Sequence, residues 1–228
     1  MLKKLDEIPI KTTLEHLITT LRLEDPEDIQ IISNYYAEAV KIAKPKVLYR
    51  EAYVEEINGS LVYINGVKFE STVLAMTLKD ISRVFAYVCT CGTEVDEWSQ
   101  KEKDYVVSLW LDIMKEMFLG DASLFFKEHI KTAFQYEQLS SINPGSGELE
   151  SWPITQQAPL FEMITDVKKE IGVILTDSFL MVPIKSTSGL LFSSETGFDN
   201  CALCTRKNCP NRRAELDAAL YERVFGVS

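Results

Sequence analysis

Apolar and polar positions along the chain follow two different periods, and the switches between them outline the elements. The opening reads as helical. Leu14, Leu17, Ile18 and Leu21 recur at three- and four-residue spacing, and Thr12 with Glu15 makes a capping-box pair ahead of them. A second helix is predicted from Asp25-Pro26, where proline suits the first turn and Glu27 and Asp28 complement the positive end of the helix dipole. Its apolar face runs through Ile29, Ile32, Tyr36 and Val40, and Pro45 stops it. The period then shortens. Val47–Val54, Leu61–Ile64 and Val67–Phe69 are strand-like segments separated by Asn58-Gly59 and Asn65-Gly66, pairs that supply the positive φ values of tight hairpin turns. A short helix at Thr72–Asp80 and a buried strand at Arg83–Cys89 are predicted next. The turn Thr90-Cys91-Gly92 comes after them, and Thr93 is placed to cap the next helix.

From there to about Gln138 the spacing is helical, with Val106, Leu109, Ile113 and Met117 on one face. That length exceeds a typical globular helix, so an interruption is expected near Gly120-Asp121. Ser140–Pro153, with Asn143, Pro144, Gly145, Ser146 and Gly147, reads as loop. A helix around Leu160–Glu170 and strands at Val173–Thr176 and Ser178–Pro183 are predicted, then a cysteine-bearing tail and a closing helix from about Arg213 to Val224. The pattern implies an α+β fold: an N-terminal helical pair, then an antiparallel or mixed central sheet with long helices. It is read as one domain divided into residues 1–45 (helical pair), 46–200 (core) and 201–228 (tail).

Composition narrows the function. Of 228 residues, 46% are hydrophobic and 25% charged, which excludes disorder and coiled coil. The net charge of -10 argues against nucleic acid and anionic membrane as partners. The longest apolar run, Val84–Cys89, is too short for a bilayer span or a signal peptide, so a cytoplasmic location is expected. One segment opposes the global charge: Arg206, Lys207, Arg212 and Arg213 occur with no acid among them. Only His16 and His129 are available for imidazole chemistry, and no Ser-His-Asp, Walker or His-Glu-x-x-His pattern is present.

Three stretches are candidates for chemistry. Cys201-x-x-Cys204-x4-Cys209 has a spacing at which thiolates bind zinc or an iron–sulfur cluster. A fourth ligand is missing locally, with Cys89 or Cys91 as candidates, and a loop of reduced thiols is the plainer alternative. Asn143-Pro144-Gly145-Ser146-Gly147 exposes backbone groups to a ligand, or is simply a turn. Pro183-Ile184-Lys185-Ser186-Thr187-Ser188-Gly189 is a small polar stretch between two apolar strands, suited to hydrogen-bonding a ligand or to a plain hairpin.

Taken together these segments resemble the activation domain of cobalamin-dependent methionine synthase. Leu175-Thr176-Asp177-Ser178-Phe179-Leu180-Met181-Val182-Pro183 followed by Ser186-Thr187-Ser188-Gly189 is similar to a late strand region of that family. Asn143-Pro144-Gly145 stands where the family has its S-adenosylmethionine loop, and Thr90-x-Gly92-x-Glu94-Val95, Asp112 and the Asn58-Gly59 hairpin are similar to shorter, stand-alone bacterial members. The resemblance implies reductive reactivation of a corrinoid methyltransferase, with S-adenosylmethionine as methyl donor and cobalamin presented by a partner. It implies a ligand site at Asn143, Pro144, Gly145 and Ser146, with Asp121 nearby and Ser186, Ser188 and Gly189 lining it. The family's Arg and Tyr are here Ser141 and Ser146. The cobalamin module's Asp-x-His-x-x-Gly pattern is absent, so a separate corrinoid-binding methyltransferase subunit is implied, with a flavodoxin- or ferredoxin-type electron donor. The rival reading is a corrinoid-docking or electron-delivery module in which Cys201, Cys204 and Cys209 hold a metal and no S-adenosylmethionine chemistry occurs.

Overall fold

The computed structural model of the chain describes residues 1–146, 151–194, 198–209, 212 and 214–226. Gly147 and Arg213 from the sequence reading lie outside the described residues. The chain opens not with a helix but with a strand, β1 (Leu2–Leu5), followed by α1 (Leu14–Leu21). The cap of α1 is Thr13, whose hydroxyl accepts the His16 N–H at 3.2 Å, one residue later than the capping-box pattern suggests. α2 (Pro26–Ile42) starts as predicted, with Asp25 accepting the Glu27 N–H at 2.8 Å. β2 (Lys46–Asn58), β3 (Leu61–Ile64) and β4 (Val67–Glu70) form the expected meander. Asn65 and Gly66, at φ 47° and 75°, make the second turn in the conformation that Asn-Gly favours. Next come α3 (Thr72–Thr77), β5 (Arg83–Thr90) and α4 (Thr93–Ser99), the last preceded by Gly92 with no side-chain cap from Thr93.

α5 (Tyr105–Phe134) runs for 30 residues without the expected interruption at Gly120. A glycine inside a helix costs only about 1 kcal/mol relative to alanine, and packing along both halves outweighs it. Val107, Leu111, Met114 and Phe118 bury against α1, α2 and α4, while Ala122, Phe126 and Ile130 bury against the sheet. The break falls instead before α5, where Asp104 accepts the N–H groups of Val106 and Val107 at 2.8 and 3.1 Å.

Beyond α5, part of the predicted loop is a strand, β6 (Leu139–Ile142). The single helix predicted around Leu160–Glu170 is two, α6 (Gln157–Ile164) and α7 (Val167–Ile171), divided at Thr165 and Asp166, which take φ 64° and 50°. Arg50 holds that break, donating to the Ile164 carbonyl at 3.2 Å and the Thr165 hydroxyl at 2.9 Å. A small hairpin, β7 (Ile174–Leu175) with β8 (Met181–Val182), leads into β9 (Ser186–Ser193). The polar stretch Ser186–Gly189 is therefore the first half of a strand and not a turn. The chain ends in α8 (Ala218–Phe225), which begins later than predicted and is capped by Asp217.

The main sheet has the order β4-β3-β2-β5-β9-β6, every pair antiparallel, with β1 added beside β2. Alternation of side chains sends Leu48, Ala52, Val84, Ala86, Val88, Leu190 and Phe192 to one face, where they pack with α3, α6 and α7. Val47, Tyr49, Phe85, Tyr87, Cys89 and Leu191 go to the other face, against α5. A third cluster joins α1, α2 and α4 to the first half of α5.

Candidate functional site

Asn143 leaves the end of β6 and turns its side chain back over the sheet. Its amide donates to the Tyr87 hydroxyl at 2.8 Å and to the Ser188 carbonyl at 2.7 Å. Tyr87 lies on β5 and pairs with Gly189 of the intervening strand β9, so the Asn143 side chain crosses β9 at its glycine. A Cβ on Gly189 would fall on the Ile142 carbonyl oxygen and lie 2.5 Å from Asn143 Nδ2. That close approach is the physical reason for glycine at this position.

The turn after Asn143 is fixed from both sides. The Ser146 N–H closes it onto the Asn143 carbonyl at 3.2 Å, and the Gly145 N–H donates to the Trp152 carbonyl at 2.7 Å. Gly145 takes φ 76°, and a Cβ there would meet Ile154 at 3.1 Å. Asn200 donates to the Ser146 carbonyl at 3.4 Å. Around this turn four buried polar atoms have no hydrogen-bond partner: Ser140 Oγ, Ser151 Oγ, Trp152 Nε1 and Asn200 Oδ1. Among the described residues only Arg50 Nε and Thr77 Oγ1 are in the same condition elsewhere. Each such orphan costs about 1–3 kcal/mol, and their gathering at one loop fits a place for a polar ligand or ordered water.

The structure thus brings together Asn143, Pro144, Gly145, Ser146, the Ser188 carbonyl and Gly189. The remaining predicted residues point elsewhere. The Ser188 hydroxyl is buried and donates to Gln157 Oε1 at 3.3 Å, on the α6 side of the sheet. Ser186 donates to the Thr90 hydroxyl at 3.0 Å, and that oxygen also accepts the Gly92 N–H at 3.2 Å. Asp121 is engaged by the N-terminal segment rather than by this loop, accepting the N–H groups of Lys11 and Thr12 at 3.0 and 2.9 Å. The Tyr36 hydroxyl completes that junction by donating to the Thr12 carbonyl at 2.8 Å. Tyr87, Trp152 and Asn200 belong to the site and escape sequence reasoning. Tyr87 is hidden in an apolar run, and Asn200 carries no spacing signal.

The cysteine loop is organised by a cation. Arg212 donates to the carbonyls of Cys201 at 3.2 Å, Cys204 at 2.9 Å, Arg206 at 2.6 Å and Ala214 at 2.9 Å. Cys201, Cys204 and Cys209 are half-buried, and among the described residues no three His, Cys, Asp or Glu side chains converge to hold a metal ion. Cys89 and Cys91 are fully buried in two other cores, where burial pushes both thiols up to about 12. Three clefts, of about 770, 710 and 570 Å3, lie away from the Asn143 turn.

The main sheet thus carries a long helix on one face, and the Asn143 turn is pinned across β9, between β5 and the edge strand β6. Comparison with known proteins gives the following. Residues 120–207, from the middle of α5 to the cysteine loop, match the family model described as vitamin B12 dependent methionine synthase, activation domain. Among solved structures the chain is similar to a crystal structure of the MetH reactivation domain bound to AdoHcy. The TM-score is 0.57 and the identity 16%, over 85% of this chain and 78% of that one. No curated protein matches the sequence. The resemblance read from the residues therefore holds for the family match over 120–207 and for the fold of nearly the whole chain. Among the described residues no helix is long and apolar enough to cross a membrane.

Proposed function

We propose that the chain reactivates a cobalamin- or corrinoid-dependent methyltransferase, acting on a separate corrinoid-carrying subunit with S-adenosylmethionine as methyl donor. The observation that carries this reading is the Asn143–Ser146 turn. It lies within the family match, and residues that adjoin it, Trp152 and Asn200 among them, carry buried polar atoms without partners. The similar solved domain holds AdoHcy, the form the methyl donor takes once its methyl is gone.

In this reading the turn is rigid before the donor arrives. Asn143 is fixed by Tyr87 and Ser188, and Gly145, at positive φ, packs the turn closely against Ile154. Holding the sulfonium methyl in line with its acceptor is a proximity effect, the main contribution this chain makes. Cobalamin, carried by the partner, supplies the metal that takes up one electron from a flavodoxin- or ferredoxin-type donor and then the methyl group. Ser141 and Ser146 stand where the family has Arg and Tyr, so the donor's carboxylate loses a charge-assisted contact. That loss amounts to about 1.5–3 kcal/mol, or one to two decades in affinity.

A second reading is favoured by those same two serines: a corrinoid-docking or electron-delivery module without methyl chemistry. Metal binding by Cys201, Cys204 and Cys209 belongs to it. The three sulfurs as placed do not form a metal-holding group, so no step is routed through one.

The test is an anaerobic assay with a methionine synthase partner in its cobalt(II) state, a reductant and methyl-labelled S-adenosylmethionine. Label should enter the corrinoid only when this chain is present, and Asn143→Ala should slow transfer at least tenfold. Transfer at the same rate without the chain would contradict the proposal.

A further inference from the structure

At the far end of β9 from the Asn143 turn lies a cleft of about 710 Å3, within the range of small-molecule sites. It opens between the end of α3, the start of β5, the end of β9 and α8, and Phe192, Ser193 and Ser194 line it. Ser193 is four residues past Gly189, roughly 13 Å along the strand at its usual rise. The cleft is therefore distinct from the turn already described, and binding there does not depend on the proposed methyl transfer.

Two arginines from different elements reach this cleft, in a chain whose net charge is -10. Arg83 is held in place along one edge. Its Nε pairs with Glu51 at 3.1 Å, its Nη1 donates to the Tyr136 hydroxyl at 3.4 Å, and its guanidinium stacks 5.4 Å from the Phe134 centroid. Among the described residues its Nη2 has no acceptor. Arg223, in the last turn of α8, is exposed and makes no ion pair or hydrogen bond among the described residues. Thr77 lines the same cleft, and its Oγ1 is buried without a partner. Among the described lining residues Asp80 is the one acid, and Glu51, which pairs with Arg83, lies outside the lining. Tyr136, Phe192 and Phe198 provide aromatic wall.

This combination has a chemical meaning. Guanidinium forks match the oxygens of a phosphate, an unpaired hydroxyl is a ready donor, and aromatic walls accept a flat apolar body. We infer that this cleft binds a small phosphate ester of a planar ring, its phosphate between Arg83 and Arg223 and its ring against the aromatic wall. Arg83, pinned by Glu51 and Tyr136, is the fixed half of the clamp. Arg223 is the exposed half, carried on α8.

The experiment is a titration of the isotope-labelled full chain with phenyl phosphate, followed by NMR, with inorganic phosphate and benzoate as comparators. Phenyl phosphate should saturate in the low-millimolar range or below, with shifts concentrated at residues 76–83, 192–194 and 220–223. Inorganic phosphate and benzoate should each bind at least tenfold more weakly. Arg223→Ala should weaken phenyl phosphate about tenfold, Arg223→Lys should recover most of that loss, and Thr77→Val should weaken it about threefold. Absence of saturation overturns the proposal, as does equal binding of the three probes or an unchanged affinity in a folded Arg223→Ala protein. Arg223 is exposed at the end of α8, so its replacement leaves the sheet intact, and the unaltered spectrum of distant residues verifies that.

Discussion

The buried strand β5 and the tail beyond β9 both carry cysteines, and they are held in opposite ways. Every residue of β5 from Val84 to Thr90 is buried, and its neighbours β2 and β9 pair with it along most of its length. Cys89 and the adjoining Cys91 are sealed in apolar surroundings that keep their thiols protonated. The tail instead hangs on one guanidinium. Arg212 ties four carbonyls together, while α8 lays Leu220, Tyr221, Val224 and Phe225 against the main core. Apolar burial makes β5 a scaffold and removes its sulfurs from chemistry. A polar clamp makes the tail a local structure whose sulfurs remain within reach of solvent.

The contrast can be broken by mutation. Phe85→Ala opens the α5 side of the sheet and should cost about 3–5 kcal/mol in a denaturant titration. Lys115→Met should cost about 3 kcal/mol, because it strands the buried carboxylate of Asp96 that Lys115 meets at 2.8 Å. Arg212→Ala should leave the global unfolding midpoint within about 1 kcal/mol of wild type, since most of what it holds is the loop itself. Amide hydrogen exchange across residues 201–206 should nevertheless accelerate. A midpoint loss as large as that of Phe85→Ala would mean that the tail is part of the core. Thiol titration sharpens the same comparison. Cys201, Cys204 and Cys209 should react with a disulfide reagent in the native state, and Cys89 and Cys91 only after unfolding.

The smallest effect is a pH dependence. Burial, with help from the Lys3 charge, holds the His129 imidazole below its usual 6.5, so the folded state favours the neutral ring. The unfolded chain takes up a proton near 6.5, hence His129 contributes its full stability above that value and loses it as pH falls toward the folded value. His129→Gln should flatten the stability profile between neutral pH and about pH 5, measured by thermal unfolding. An unchanged slope would assign the acid sensitivity to other groups.

Much of this architecture is legible in the residues. The helical pair and the meander arise from repeating apolar spacing and from two Asn-Gly turns, both local signals. The illegible parts depend on contact at a distance. Leu2-Lys3-Lys4-Leu5 becomes a strand only because β2 offers it an edge, in register from Arg50 to Val47. Ser186–Gly189 looks like a turn because its side chains are small and polar. It is a strand because β5 pairs with it residue by residue, Thr90 with Ser186 through Tyr87 with Gly189, while Asn143 packs over Gly189 and Gln157 receives the Ser188 hydroxyl. Gly120 resembles a break but sits in a helix packed along both halves. In the candidate site the turn residues are visible in the sequence, whereas Tyr87 and Asn200 join it across 56 and 54 residues. The cysteine spacing suggests a ligand set, yet the carbonyl clamp by Arg212 has no spacing rule that would reveal it.

The measurement that bears most directly on the central claim is binding of S-adenosylmethionine to the anaerobically purified chain by equilibrium dialysis. Wild type and Arg223→Ala should bind it saturably and alike, because Arg223 lies in the other cleft. Tyr87→Phe, which removes the hydroxyl that anchors Asn143 while keeping the ring, should bind it several-fold more weakly, and Asn143→Ala should not bind it detectably. No binding to wild type through the millimolar range, or equal binding to wild type and a folded Asn143→Ala protein, would contradict the assignment of the turn as the methyl-donor site.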